Sequence, residues 1–290
     1  SFFLIAVVFG AAAGADLLRI GTWAAIVFVS VMLHELGHAM MGMAFGLEPR
    51  IDLHGMGGTT SWSTPRALST ARRIAISLAG PGAGFVVAAI VRFGLGPGLF
   101  PPTPLGDFVY ENLLFVNFVW GLVNLVPMLP LDGGNVMMQS LNALTHGRGE
   151  RPARVVSIVV AALAVPAGWF LMGNWWISLL AASFVATNWR GLQDLAAREN
   201  DEPLRATLKQ AHAALDAGNA ERLLALARPV ALSARTAQVR AEALQLVAFG
   251  FLMEGRLADA DAAIAAMPRS FAPHPSLLAM RARAAAGARA

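Results

Sequence analysis

There is no cysteine among the 290 residues. That excludes a disulfide framework and any thiolate metal site, and leaves the compartment open. Charge is scarce too: 14% of residues are charged, against about 25% in an ordinary soluble domain, while 56% are hydrophobic. This composition excludes an ordinary water-soluble globule and points to an integral membrane protein. The net charge of +4 does not require nucleic acid, because arginines crowd the cytoplasmic loops of membrane proteins; no nucleic-acid partner is expected. The first apolar stretch has no basic leader and no obvious cleavage site, so no cleavable signal peptide is expected.

What is present is a set of apolar stretches, at about 2–18, 22–46, 69–93, 108–129, 154–172 and 174–190. Several reach the roughly 20 residues needed to cross hydrocarbon; the last two are short and joined by Gly173-Asn174. Arg50 and Arg66 follow the second stretch, Arg72 and Arg73 open the third, and Arg148, Arg151 and Arg154 follow the fourth. The segment from Gly94 to Asp107 has no Lys or Arg. The positive-inside tendency then puts both chain termini, and the ends of the even-numbered spans, in the cytoplasm.

Within the second stretch stands His34-Glu35-Leu36-Gly37-His38. On a helix, residues four apart share a face, so both imidazoles can reach one metal ion. Glu35 is then placed to take a proton from an activated water. Three ionisable residues at membrane depth are costly and usually mark function. A catalytic zinc needs a third protein ligand, and Asp52, His54, Glu111 and Asp132 are the candidates. Asp132 is favoured. It follows Pro127 and Pro130 and precedes Gly133-Gly134, so a helix break there can turn a carboxylate back into the bundle. Asp-Gly is also a common turn dipeptide, so a plain turn is the competing reading.

His-Glu-Leu-Gly-His in a span, together with Asn124-Leu125-Val126-Pro127-Met128-Leu129-Pro130-Leu131-Asp132-Gly133-Gly134, resembles the site-2 protease family of intramembrane zinc metalloproteases. The resemblance covers about 1–190 and is strongest over 30–46 and 117–135. It implies His34, His38 and Asp132 as ligands of one Zn²⁺, Glu35 as the base, and Asn124 as a residue that helps hold substrate or stabilise developing charge. It also implies a hairpin between the second and third spans, carried by Arg50–His54 and Thr59–Trp62. There Ile51, Leu53, His54 and Thr59 would bind an extended substrate segment, although a solvated hairpin residue is the simpler reading of His54. Gly80-Pro81-Gly82-Ala83-Gly84 resembles the family's Gly-Pro element, without the asparagine that often follows. Gly80 and Gly84 read most simply as a close helix contact, and Asn117 as packing. No PDZ-like insertion or CBS pair is visible.

The expected fold is an all-α polytopic membrane protein of about six transmembrane helices. A short β-hairpin follows the second, and a C-terminal soluble helical domain follows the bundle. The membrane part is expected over 1–190. Residues 191–290 hold 12 Lys/Arg and 10 Asp/Glu and are rich in alanine. Leu244, Val247, Ala248, Phe251, Gly255, Ala260 and Ile264 follow a tetratricopeptide-type (TPR-like) spacing, with a weaker copy at Gly218-Asn219. A plain alanine-rich bundle fits as well. This domain is expected to bind a regulatory protein or a second copy of the chain.

The resemblance implies cleavage of a single-span, membrane-tethered regulatory protein, in a bacterial plasma membrane, with the site in its cytoplasmic half. Two other functions remain open. One is a membrane zinc peptidase trimming signal-peptide remnants or extramembrane loops; the other is a non-catalytic scaffold.

Overall fold

A computed structural model describes residues 16–54, 57–63, 67–171 and 173–287. The chain divides into two compact units, Ser1–Trp189 and Arg190–Ala290. The first is a helical bundle with one two-stranded antiparallel sheet. Helix α1 spans Leu17–Ala44, β1 Pro49–His54, β2 Gly57–Trp62 and α2 Thr70–Ala89. A π-helical turn, Ile90–Leu95, prolongs α2. Then come α3 (Pro104–Leu114), a π turn (Phe115–Val119), α4 (Trp120–Asn124), α5 (Asp132–Leu144) and α6 (Glu150–Pro166), with a last π turn at Ala167–Leu171. Helix α7 runs from Trp175 to Asp216, its first part in this unit and the remainder in the second.

The starts of these helices follow local chemistry. Asp16, Ser69 and Thr103 each sit in extended backbone and accept an N–H from three residues on, at Arg19, Arg72 and Gly106. Such caps contribute about 1 kcal/mol each. Among the described residues three helices are long and apolar enough to cross a membrane: Leu17–Ala44, Thr70–Leu95 and Glu150–Leu171. These correspond to three of the expected stretches, and the protein is an integral membrane protein. The stretch 2–18 lies almost entirely outside the described residues. The stretch at 108–129 is helical only to Asn124. Pro127 disfavours a helical residue before it and offers no N–H, so the helix ends early and an irregular segment leads to α5.

Two small apolar clusters hold the first unit. Ile26 and Val27 of α1 meet Val116 of the π turn. Met128 of the irregular segment meets Ala161 of α6 and Phe184 of α7. Closer contacts are made by glycine: a side chain at Gly37 would collide with the Ala79 carbonyl of α2, and one at Gly84 would press on the Asn117 carbonyl. Across that second contact Asn117 donates to Ser30 Oγ of α1 at 2.9 Å, so it is an interhelical hydrogen bond as well as packing.

The second unit continues with α8 (Ala220–Ser233), α9 (Ala237–Met253), α10 (Leu257–Ala265) and α11 (Pro275–Gly287). Its core holds Leu208, Leu223, Val230, Val239, Leu246 and Leu277. Gly218 and Gly255 end α7 and α9 with positive φ of 69° and 74°. At both corners the following N–H reaches back five residues, Asn219 to Ala214 and Arg256 to Phe251. Glycine is favoured in that left-handed turn because it has no Cβ.

Candidate metal centre

Helical periodicity puts His34 and His38 one turn apart on α1, facing α2. Gly37 lets α2 approach α1 backbone to backbone, and Gly80 of α2 stands where any side chain would strike both imidazole Nε2 atoms. Gly80 therefore makes room for the two histidines, whereas Gly84 makes the helix contact expected of both. The third group arrives from far along the chain: Asp132, first residue of α5, projects into the same space.

His34 Nε2 lies 3.1 Å from Asp132 Oδ2, and His38 Nε2 lies 3.4 Å from Asp132 Oδ1. The two Nε2 atoms are 3.1 Å apart. One ligand atom from each of the three residues falls within 4.8 Å of the others, the one such metal-binding group among the described residues. Ligands held about 2.0–2.1 Å from a tetrahedral zinc sit about 3.3 Å from each other. The observed separations match that spacing. The protonation pattern fits as well. His38 Nδ1 lies 2.7 Å from the Ile76 carbonyl oxygen; a carbonyl can only accept, so Nδ1 carries the proton and Nε2 offers its lone pair inward. Two imidazole lone pairs and a carboxylate facing one another call for a cation. His38 is buried, and His34 and Asp132 are half-buried.

Glu35 is buried against the hairpin. Strand β2 pairs with β1 in antiparallel register, Ile51 opposite Thr60 and Leu53 opposite Gly58. Side chains alternate along a strand, so Gly58, Thr60 and Trp62 share one face. That face lies on α1: a side chain at Gly58 would strike the Glu35 carboxylate, and one at Gly42 would strike the Trp62 ring. Between them Thr60 Oγ1 donates to Glu35 Oε2 at 2.7 Å.

Of the residues singled out from sequence, His34, Glu35, His38 and Asp132 come together here. Asn124 ends α4, half-buried, and its side chain makes no hydrogen bond among the described residues. Ile51 and Leu53 are half-buried on β1, Thr59 is exposed on β2, and His54 ends β1 with its side chain outside the described atoms. Asp52 is exposed and pairs with Arg50 at 3.3 Å, and Glu111 is exposed; neither joins the centre. Sequence reading missed Thr60 and Gly80. The alternation of Gly58, Thr60 and Trp62 was the available signal for Thr60.

No protein-family model matches the chain. Over 131 residues, 44% of this chain, it is 33% identical to a Synechocystis protein whose name describes a zinc metalloprotease. Over 118 residues, 40% of the chain, it is 28% identical to a zinc metalloprotease of Methanocaldococcus jannaschii. Over 170 residues, 52% of the chain, it is 30% identical to Rip3 of Mycobacterium tuberculosis, also named for zinc metalloprotease activity. The matches span 33%, 33% and 41% of those relatives, so the chain spans about a third of their length. Among solved structures, a site-2 protease from Methanocaldococcus jannaschii aligns at 22% identity and a TM-score of 0.48, over 65% of this chain and 85% of that one. The chain is thus similar to proteins named as zinc metalloproteases, and its two motifs, 34–38 and 124–134, converge on one metal-sized space.

Proposed function

We propose that this protein is an intramembrane endopeptidase that uses one zinc ion to hydrolyse a peptide bond in or near the transmembrane segment of a membrane-tethered regulatory protein. The observation that carries this reading is the convergence of His34, His38 and Asp132, with Glu35 beside them on the same helix turn. His34, His38 and Asp132 would hold the ion. Bound zinc supplies Lewis acidity, which in well-characterised sites brings the pKa of water from 15.7 to about 7.

The chain's own residues do the rest. Glu35 accepts the proton of the attacking water and returns it to the leaving amine. Thr60 holds one carboxylate oxygen of Glu35, leaving the other for that exchange. Asn124, a short segment ahead of Asp132, donates to the developing oxyanion. A helical substrate hides its carbonyls in internal hydrogen bonds and must unwind before attack. The hairpin offers the unwound segment backbone partners in their place, with Ile51, Leu53, His54 and Thr59 at its side chains.

Six spans, the cytoplasmic placement of the site and termini, and a bacterial plasma membrane follow from the arginine distribution and the resemblance. The helices over 191–290 act as a TPR-like docking or pairing domain, supported by the two equivalent glycine corners 37 residues apart.

The test is co-expression with single-span membrane proteins, comparing wild type with Glu35→Gln and measuring zinc in both. That swap keeps shape and removes basicity. Cleavage is expected to fall by at least about 10²-fold with zinc retained. Undiminished cleavage with Glu35→Gln would overturn the assignment. Cut sites confined to loops outside the bilayer would replace it with the trimming peptidase.

A further inference from the structure

Asp132 reaches the metal centre from an irregular segment, and that segment needs something to hold it. Between Asn124 and Asp132 the helix is broken, and Pro127 and Pro130 carry no N–H. In a membrane-embedded unit, exposed backbone N–H and C=O groups cost several kcal/mol each, so a break survives only where side chains satisfy it. At Leu129 both groups are satisfied that way. Its N–H donates to Ser157 Oγ at 2.9 Å, and its carbonyl accepts from Asn188 Nδ2 at 2.7 Å. Ser157 lies on α6 and Asn188 on α7, and both are fully buried.

Each clamp is anchored to its own helix. Ser157 Oγ donates to the Ala153 carbonyl at 2.7 Å, and Asn188 Nδ2 also donates to the Phe184 carbonyl at 2.9 Å. Two carbonyls at Nδ2 fix the amide orientation, since only the nitrogen can donate. Among the described residues Asn188 Oδ1 has no partner, so the amide is kept there at a cost. Ala153 and Ala161, fully buried, let α6 close on the segment.

A shift of Leu129 cannot be absorbed before Asp132. The start of α5 rests directly on the segment: a side chain at Gly134 would strike Leu129 N and Met128, and one at Gly133 would strike the Leu125 carbonyl. Ordinary interhelical glue joins one helix to another. These two residues instead join two helices to the two backbone groups of one non-helical residue, three residues ahead of a metal ligand.

We propose that Ser157 and Asn188 are positioning residues that clamp Leu129 and thereby set the Asp132 carboxylate at the metal centre. This rests on the reading of His34, His38 and Asp132 as a zinc site. Groups that orient metal ligands are worth about 10- to 100-fold in metal affinity.

The test is zinc affinity of the full-length protein in detergent, by chelator competition, for wild type, Asn188→Leu and Ser157→Ala. Each is also made in an Asp132→Ala background. Asn188→Leu is expected to weaken zinc binding by about 10- to 100-fold, and Ser157→Ala to weaken it in the same direction by less. With Asp132 already removed, neither should weaken it further. Should Asn188→Leu fail to fold, Ser157→Ala carries the test. Wild-type affinity in the folded variants, or a loss that persists undiminished without Asp132, overturns the clamp. A wild type that binds no zinc would overturn the metal reading, and the clamp with it.

Discussion

The two units bury opposite things. In the C-terminal unit large apolar side chains point inward: Leu223, Leu246 and Leu277 are fully buried, and Asp201 is its one buried charged or polar side chain among the described residues. In the membrane unit large apolar side chains point outward, with Phe93 82% and Phe170 79% exposed, while Ser30, Glu35, His38, Asn117, Ser157 and Asn188 are buried. Hydrocarbon does not drive apolar groups together, so helices there meet through small residues, and polar groups collect where chemistry or a broken backbone needs them. Water does drive apolar burial, at roughly 25 cal/mol per Å². The same amino acid therefore carries different information in each unit.

Four experiments can break or sharpen that contrast. The largest effect is expected from Gly37→Leu. The new side chain would meet the Ala79 backbone, which cannot give as a side chain can, so α1 and α2 must part and take His34 and His38 with them. Loss of zinc binding measured by chelator competition is expected; retained wild-type affinity would show that small-residue contact does not set this site. Next comes a pair, Leu246→Ala in the C-terminal unit and Leu163→Ala in the membrane unit. The first should cost about 2–5 kcal/mol by cavity formation. The second, at a side chain 68% exposed, should stay within about 0.5 kcal/mol. Thermal unfolding in detergent reads both, and equal costs would erase the contrast. Third, Thr60→Val removes the donor to Glu35 while keeping shape. A fall in kcat of about tenfold, with zinc content unchanged and recovery in Thr60→Ser, matches the loss of one hydrogen bond to a charged group, about 1.5 kcal/mol. Unchanged kcat would make Thr60 mere hairpin packing.

Much of the membrane unit's site was legible because it is written in short motifs. His34 and His38 fall one turn apart by helical spacing alone, and Pro127, Pro130 and Gly133-Gly134 announce the break that delivers Asp132. The hairpin was expected from the resemblance, and its register then put Thr60, rather than Thr59, against Glu35. The Leu129 clamp was not legible. A serine and an asparagine inside apolar helices carry no local pattern, and their partner is a backbone group 28 and 59 residues away. The early end of the fourth stretch at Asn124 was missed because hydropathy continues through Leu125, Val126, Met128 and Leu129 while the prolines stop the helix. Tertiary pairing and backbone chemistry override apolar composition in both cases.

The smallest of the four effects tests the exception in the C-terminal unit, its buried carboxylate. Asp201 of α7 accepts the Arg235 and Thr236 N–H groups at 2.9 and 2.7 Å and the Thr236 hydroxyl at 2.6 Å, tying α7 to the start of α9. Burial alone would raise its pKa, but the hydrogen bonds from Arg235 and Thr236 outweigh it and hold the carboxyl below its ordinary value. A group whose pKa is depressed on folding stabilises above its unfolded value, near 3.9, and loses that contribution as pH falls through the lower folded value. Asp201→Asn keeps the shape but replaces a charged acceptor with a neutral one, at a cost of about 1 kcal/mol at neutral pH, as for loss of a helix cap. The melting temperatures of wild type and Asp201→Asn should therefore differ at pH 7 and converge below about pH 4. A gap that stayed constant well below that pH, through the depressed folded value, would mean that Asp201 stabilises by packing alone, and that the C-terminal unit uses no buried charge to fix its helices.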